Sequence, residues 1–179
     1  QEVSNPQYIF VISHGWNSDT SAERFQSLAN QINETCSALG ISCSIYLPDW
    51  GPGAKQLTPW SAAVNIDAAA EGAFNLLNAK GVDPTKINLI GESFGNWVNQ
   101  GIAQRFDGVD KILSFNPANE LSRYEPQDHT AFSNLSYSFS TLSGADTDRP
   151  IADFNIRLQT PFNNWDKQHS YGIQWLTNT

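Results

Sequence analysis

The stretch INLIGESFGNWVNQ, residues 87–100, changes character in its middle. Its first half is a continuous apolar run that suits a strand buried on both faces, and its second half reads as the opening of a helix. Between them stands Gly91-Glu92-Ser93-Phe94-Gly95, a G-x-S-x-G sequence in the strand-to-helix setting that this pattern requires. So abrupt a corner forces the serine backbone into a strained conformation. The two glycines remove Cβ atoms that would strike the neighbouring strand and helix. Ser93 is therefore expected to project its hydroxyl from the sheet edge, at a helix N-terminus whose dipole favours developing negative charge. That is where a nucleophile belongs, and an ordinary N-cap serine is the plain alternative.

Working outward, strands and helices alternate. PQYIFVIS (residues 6–13) is an apolar run ending at HGWNSD. Thr20 stands three residues before Glu23 as a capping box, and Phe25, Leu28, Ile32, Cys36 and Leu39 recur at helical spacing up to Gly40. SCSIYLPDW reads as the second strand. Thr58-Pro59 has the N-cap and first-turn signature of a helix running on to Gly81. KINLIG is the third strand, NWVNQGIAQRF a helix, DKILSFN the fourth strand, LSYSFSTL the fifth, ADFNIRLQ the sixth, and HSYGIQWLTN a closing helix. This order predicts one domain over residues 1–179, a three-layer α/β/α sandwich on a mostly parallel six-stranded sheet with right-handed crossovers.

Charge and cysteine use narrow the function classes. Ten basic against eighteen acidic residues give a net charge of −8, which repels phosphate backbones and anionic membrane surfaces. Nucleic acid is excluded as a partner on this reading. No apolar run approaches the ~20 residues that span a bilayer, so no stable membrane insertion is expected. The start, QEVSNPQ, lacks the basic and apolar regions of a signal peptide, so any targeting segment was removed or never present. Cys36 and Cys43 bracket a turn short enough for a disulfide. With the sequons at Asn33 and Asn134, that pair points to a secreted or periplasmic protein, against the alternative of two buried free thiols.

A serine needs a base, and the chain offers three histidines. His14 directly follows the first strand, and His129 lies in a polar stretch with no adjacent strand end. His169 follows the sixth strand, where a loop at the carboxyl edge would reach Ser93. An oxyanion needs backbone N–H donors as well. Phe94, directly after the serine, is one candidate, and Trp16, in the loop behind His14-Gly15, is the other.

VISHGWNSD, YLPDWGPGA, INLIGESFGNWV, KILSFNPAN and a late histidine, taken in order, resemble the pancreatic-lipase-like branch of the α/β hydrolases, with its lipases and phospholipases A1. The resemblance runs from about Tyr8 to about Leu176. It implies a carboxylic-ester hydrolase with a Ser-His-acid triad, acting on a small-molecule or lipid ester without metal or organic cofactor. Trp16 and Phe94 match the family's oxyanion positions, and Asp49 and Trp50 match a block that is structural there.

The departures matter equally. Where the family has its catalytic acid in D-P-A, this chain has Asn116-Pro117-Ala118. An amide cannot stabilise an imidazolium as a carboxylate does. Other α/β hydrolases take the acid from the loop after the next strand, here SGADTDRPI, which makes Asp146 the expected acid, with Asp148 and Asn116 as rivals. Glu92 stands where the family commonly has histidine. Only TPFNNWDKQ separates the sixth strand from His169, so no lid is expected, and small soluble esters, short acyl chains or phospholipid-like substrates fit an open cleft. Trp16, Phe94, Phe162 and Trp165 are candidates for an apolar acyl-binding wall. A monomeric, lidless esterase is the leading expectation. An acyl-binding protein crippled at Asn116, or a thioesterase, is the alternative.

Overall fold

Alternation along the strands decides the layering. The structure, a computed structural model, describes residues 4–118, 128–141 and 150–177. β1 (Tyr8–Ser13) sends Ile9 and Val11 to one face and Phe10 and Ile12 to the other, as the two-residue strand period requires. β3 (Ile87–Glu92) divides Ile87 and Leu89 from Ile90 in the same way. With β2 (Cys43–Tyr46), β4 (Val109–Phe115), β5 (Ser133–Ser140) and β6 (Phe154–Arg157) they form one six-stranded sheet in the order β2-β1-β3-β4-β5-β6. Every pairing is parallel, a stricter arrangement than the mostly parallel sheet expected.

Each face is covered by helices. On one, α1 (Glu23–Ala38) and α6 (Trp165–Thr177) bring Phe25, Leu28 and Ile173 onto Ile12, Ile90, Phe115 and Phe139. On the other, α4 (Ile66–Ala79) and α5 (Gly95–Arg105) cover Ile9, Val11, Leu89 and Ile112. Small residues let these two helices approach closely: a Cβ on Gly101 would lie 2.7 Å from that of Ala70. Two short helices, α2 (Gly51–Ala54) and α3 (Pro59–Ala63), precede α4.

Two local expectations are corrected. Thr20 does not cap α1, whose N-cap is Ala22; Asp19 instead accepts from the Ser21 N–H and hydroxyl, 2.8 and 2.5 Å, and so ties up the turn before the helix. The long helix from Thr58 to Gly81 is broken at Val64 and Asn65. Its Thr58 cap is present, in a reciprocal box with Ser61, but Asn65 turns its amide back onto the carbonyls of Gly53 and Ser61, each at 3.2 Å. A short amide side chain competes with the helix for backbone partners, which favours a break there.

From β1 the chain first moves outward to β2, then crosses back over β1 to β3. The switch point between β1 and β3 leaves a crevice at their carboxyl ends, the place where open α/β sheets bind ligands. No helix among the described residues is long and apolar enough to cross a membrane.

Cys36 and Cys43 form a disulfide that ties the end of α1 to the start of β2. Bridging so short a loop removes about 2 kcal/mol of denatured-state freedom. The Cys36→Ser/Cys43→Ser variant is therefore expected to melt about 5 °C lower than the oxidised protein in thermal scans. Reductant should bring the native chain to the same value.

Candidate active site

Ser93 occupies the corner with φ at 55°, in the left-handed region that only a constrained side chain adopts. Its N–H donates to Phe115 O (3.0 Å), and the Asn96 amide donates to Ser93 O (3.0 Å) and Phe115 O (3.1 Å), so the corner is stitched to the end of β4. Both flanking glycines are sterically required. A Cβ on Gly91 would lie 2.7 Å from Asn96 Oδ1, and one on Gly95 would lie 2.0 Å from the Ser13 carbonyl oxygen. Phe94 is the N-cap of α5, and in the first turn the N–H groups of Asn96 and Trp97 donate to Ser93 O (3.1 Å) and Phe94 O (3.0 Å).

The turn after β1 faces this corner, with Gly15 packed against Ser93. His14 is 1% exposed and holds the turn: its Nδ1 donates to Gly15 O (3.1 Å), and its ring stacks on Trp50 at 5.3 Å. The Trp50 indole donates to His14 O (3.0 Å), giving the D-W block the structural part its resemblance implied. Burial lowers the pKa of His14, which keeps the ring neutral. Trp16 is fixed by its indole on Gln56 O (3.0 Å). His129 is buried on the far side of β4, within 3.3 Å of Ser114 Oγ, and burial pushes its pKa down to about 4.

His169 differs from the expected loop residue. α6 begins at Trp165, four residues earlier than the closing helix predicted, which places His169 in its second turn. There it is 9% exposed and shares a cavity of about 200 Å³ with Ser93, Trp16, Asn17, Arg24, Glu92 and Asp166. Nucleophile candidate, base candidate and one proposed oxyanion segment thus meet at the switch point. Arg24 and Asp166 were not anticipated from the sequence.

Glu92, left open by the sequence, is 2% exposed and held by Arg24. Arg24 Nε lies 3.2 and 3.0 Å from its two carboxylate oxygens, and Nη2 donates to Oε2 (2.7 Å) and to Ser18 Oγ (3.3 Å). A carboxylate is buried at the shoulder of Ser93 because a guanidinium meets it two-pronged.

Asn116 is a strut. Fully buried with φ at 45°, it accepts from the Thr141 N–H (2.7 Å) and hydroxyl (3.1 Å) and donates to the carbonyls of His169 and, at 3.4 Å, Gln168. Its bonds reach the His169 backbone and join the ends of β4 and β5 to α6. A carboxylate there would set an oxygen against two carbonyls, so an amide is the residue this junction calls for. Asp146 and Asp148 lie outside the described residues. Phe162 packs edge-on against Tyr171 at 5.8 Å and is not among the described residues lining the Ser93 cavity; the Trp165 side chain lies outside the described residues.

No family model matches the sequence, and no curated protein matches it either. Solved structures do match along nearly its whole length. Alpha/beta hydrolase domain-containing protein 10 from mouse superposes with a TM-score of 0.61 at 11% identity, covering 99% of this chain and 89% of the other. Dienelactone hydrolase from Anabaena variabilis gives 0.60 at 12% identity, covering 97% and 85%. A phospholipase/carboxylesterase from Dyadobacter fermentans gives 0.56 at 13% identity, covering 98% and 90%. The chain has the α/β-hydrolase fold; these likenesses do not single out the pancreatic-lipase branch.

Asn116→Asp is expected to lower unfolding free energy at neutral pH by about 3 kcal/mol, because a buried charge then opposes carbonyls. Urea titration checks this. His129 binds its proton at about pH 4 when folded and near its ordinary value of 6.5 when unfolded. The unfolded chain therefore takes up the proton first on acidification, so the contribution is full above 6.5 and is lost as pH falls towards 4. Stability in urea should decline over that window by up to about 3 kcal/mol, and His129→Phe should flatten the decline.

Proposed function

We propose that this protein is a serine-dependent carboxylic-ester hydrolase. The observation that carries the reading is Ser93, held at a strained strand-to-helix corner and sharing one cavity with His169 at the sheet's switch point. In the proposed reaction His169 takes the Ser93 hydroxyl proton as Oγ attacks the ester carbonyl. The N–H groups of Trp16 and Phe94 receive the oxyanion, helped by the N-terminus of α5. The imidazolium then protonates the departing alcohol, and water repeats the sequence on the acyl-enzyme. Asp146 orients the imidazole, in the chain order Ser93, Asp146, His169 that this fold uses.

The cavity supports a short acyl group on a polar alcohol over long-chain fat. About 200 Å³ is small for a drug-sized ligand, and Asn17, Arg24, Asp166 and Ser170 give its described walls polar character. A disulfide supports a secreted or periplasmic setting.

The test is hydrolysis of p-nitrophenyl esters of increasing chain length at about pH 8. Acetate and butyrate should be the better substrates. Ser93→Ala should lower kcat at least about a thousandfold, and Asp146→Ala about a hundredfold or more while Asp148→Ala changes it little. Absence of Ser93-dependent turnover on every ester would turn the reading to an acyl-binding protein.

A further inference from the structure

The chain carries a second buried device beside the proposed nucleophile. Arg24 sits in the first turn of α1, Glu92 is the last residue of β3, and Ser18 lies in the turn that follows β1. One guanidinium joins all three, with contacts of 2.7 to 3.2 Å to the Glu92 carboxylate and 3.3 Å to the Ser18 hydroxyl. The two segments it ties together carry Trp16 and Phe94, the proposed oxyanion donors. The guanidinium also lines the same cavity as Ser93 and His169, with Arg24 24% exposed and Glu92 2%.

We propose that Arg24 is a positioning residue for the oxyanion hole, clamping the turn after β1 to the nucleophile corner and offsetting the Glu92 charge that would otherwise oppose the oxyanion. This rests on the esterase reading. Two physical reasons favour it over a merely structural ion pair. An oxyanion hole works only when donors on separate segments are held in fixed relation, so that no reorganisation accompanies charge development. Arg24 spans the junction of those segments. Moreover, a buried carboxylate next to the reacting serine is repulsive to a second negative charge in a low-dielectric cleft. The charge at Glu92 is tolerable there because Arg24 lies against it.

The clamp and the charge balance act together in the transition state, which separates them from ground-state binding. Arg24→Gln should lower kcat for p-nitrophenyl acetate about tenfold or more with KM changed about twofold or less. Arg24→Gln/Glu92→Gln, which removes both charges, should recover part of that loss, and Arg24→Lys, which keeps the charge without the two-pronged contact, should fall between. Reaction with a p-nitrophenyl phosphonate, whose tetrahedral serine adduct mimics the oxyanion, should slow in the same order. Urea stability measured beside each variant removes folding from the comparison, and if Arg24→Gln does not fold, Arg24→Lys and the double variant carry it. Unchanged kcat and phosphonate rate in a folded Arg24 variant would overturn the clamp, and a double variant no faster than Arg24→Gln would overturn the charge offset. A native protein whose Ser93 fails to react with either reagent would overturn the esterase reading itself.

Discussion

The site depends on one close approach. The N-terminus of α5 comes so near to the end of β1 that a Cβ on Gly95 would lie 2.0 Å from the Ser13 carbonyl oxygen. Only glycine permits that distance, and only that distance brings the corner at Ser93 against the turn at Gly15. The strain at Ser93 follows from it, since the chain must leave β3 and enter a helix already seated on the neighbouring strand. Surrounding bonds hold the strained residue in place. Phe115 O and the Asn96 amide secure the corner from β4, and Ser13 Oγ donates to Asn99 Oδ1 at 2.6 Å, binding β1 to α5.

Much of this was legible in the sequence because the controlling forces are local. A corner between an apolar strand and a helix needs glycine, and glycine is visible. Apolar runs bounded by turn residues gave six strands in order, and alternation with helices implied parallel pairing. The misread details were those in which a neighbour competes for a backbone group. Thr20 has the sequence of a cap, yet Asp19 captures the turn first. Asn65 looks harmless inside a helical pattern until its amide finds the Gly53 carbonyl, a residue brought near only by tertiary folding.

Arg24 was hidden for a related reason. In sequence it is one charged residue in an amphipathic helix, the ordinary solvated kind. Its significance arises because α1 packs where its first turn overlooks the carboxyl edge, sixty-eight residues before Glu92. Glu92 raised the question of a buried acid or a solvated one, and periodicity along a single strand cannot answer it. Burial at 2% with a two-pronged guanidinium does.

Asn116 shows how a departure from a family pattern changes meaning once the bonds are known. Judged by motif alone, an amide in place of an acid suggests lost catalysis. Here the side chain is saturated by the Thr141 N–H and hydroxyl and by two carbonyls of α6, accepting at Oδ1 and donating from Nδ2, a division of labour that a carboxylate cannot perform. The position therefore serves to seat the helix that carries His169. Placing His169 on α6 and not in a loop makes such a seat necessary, because a helix places its side chains only as well as its own backbone is anchored. The N-P-A sequence is then accounted for by the bonds that the Asn116 amide makes beneath α6.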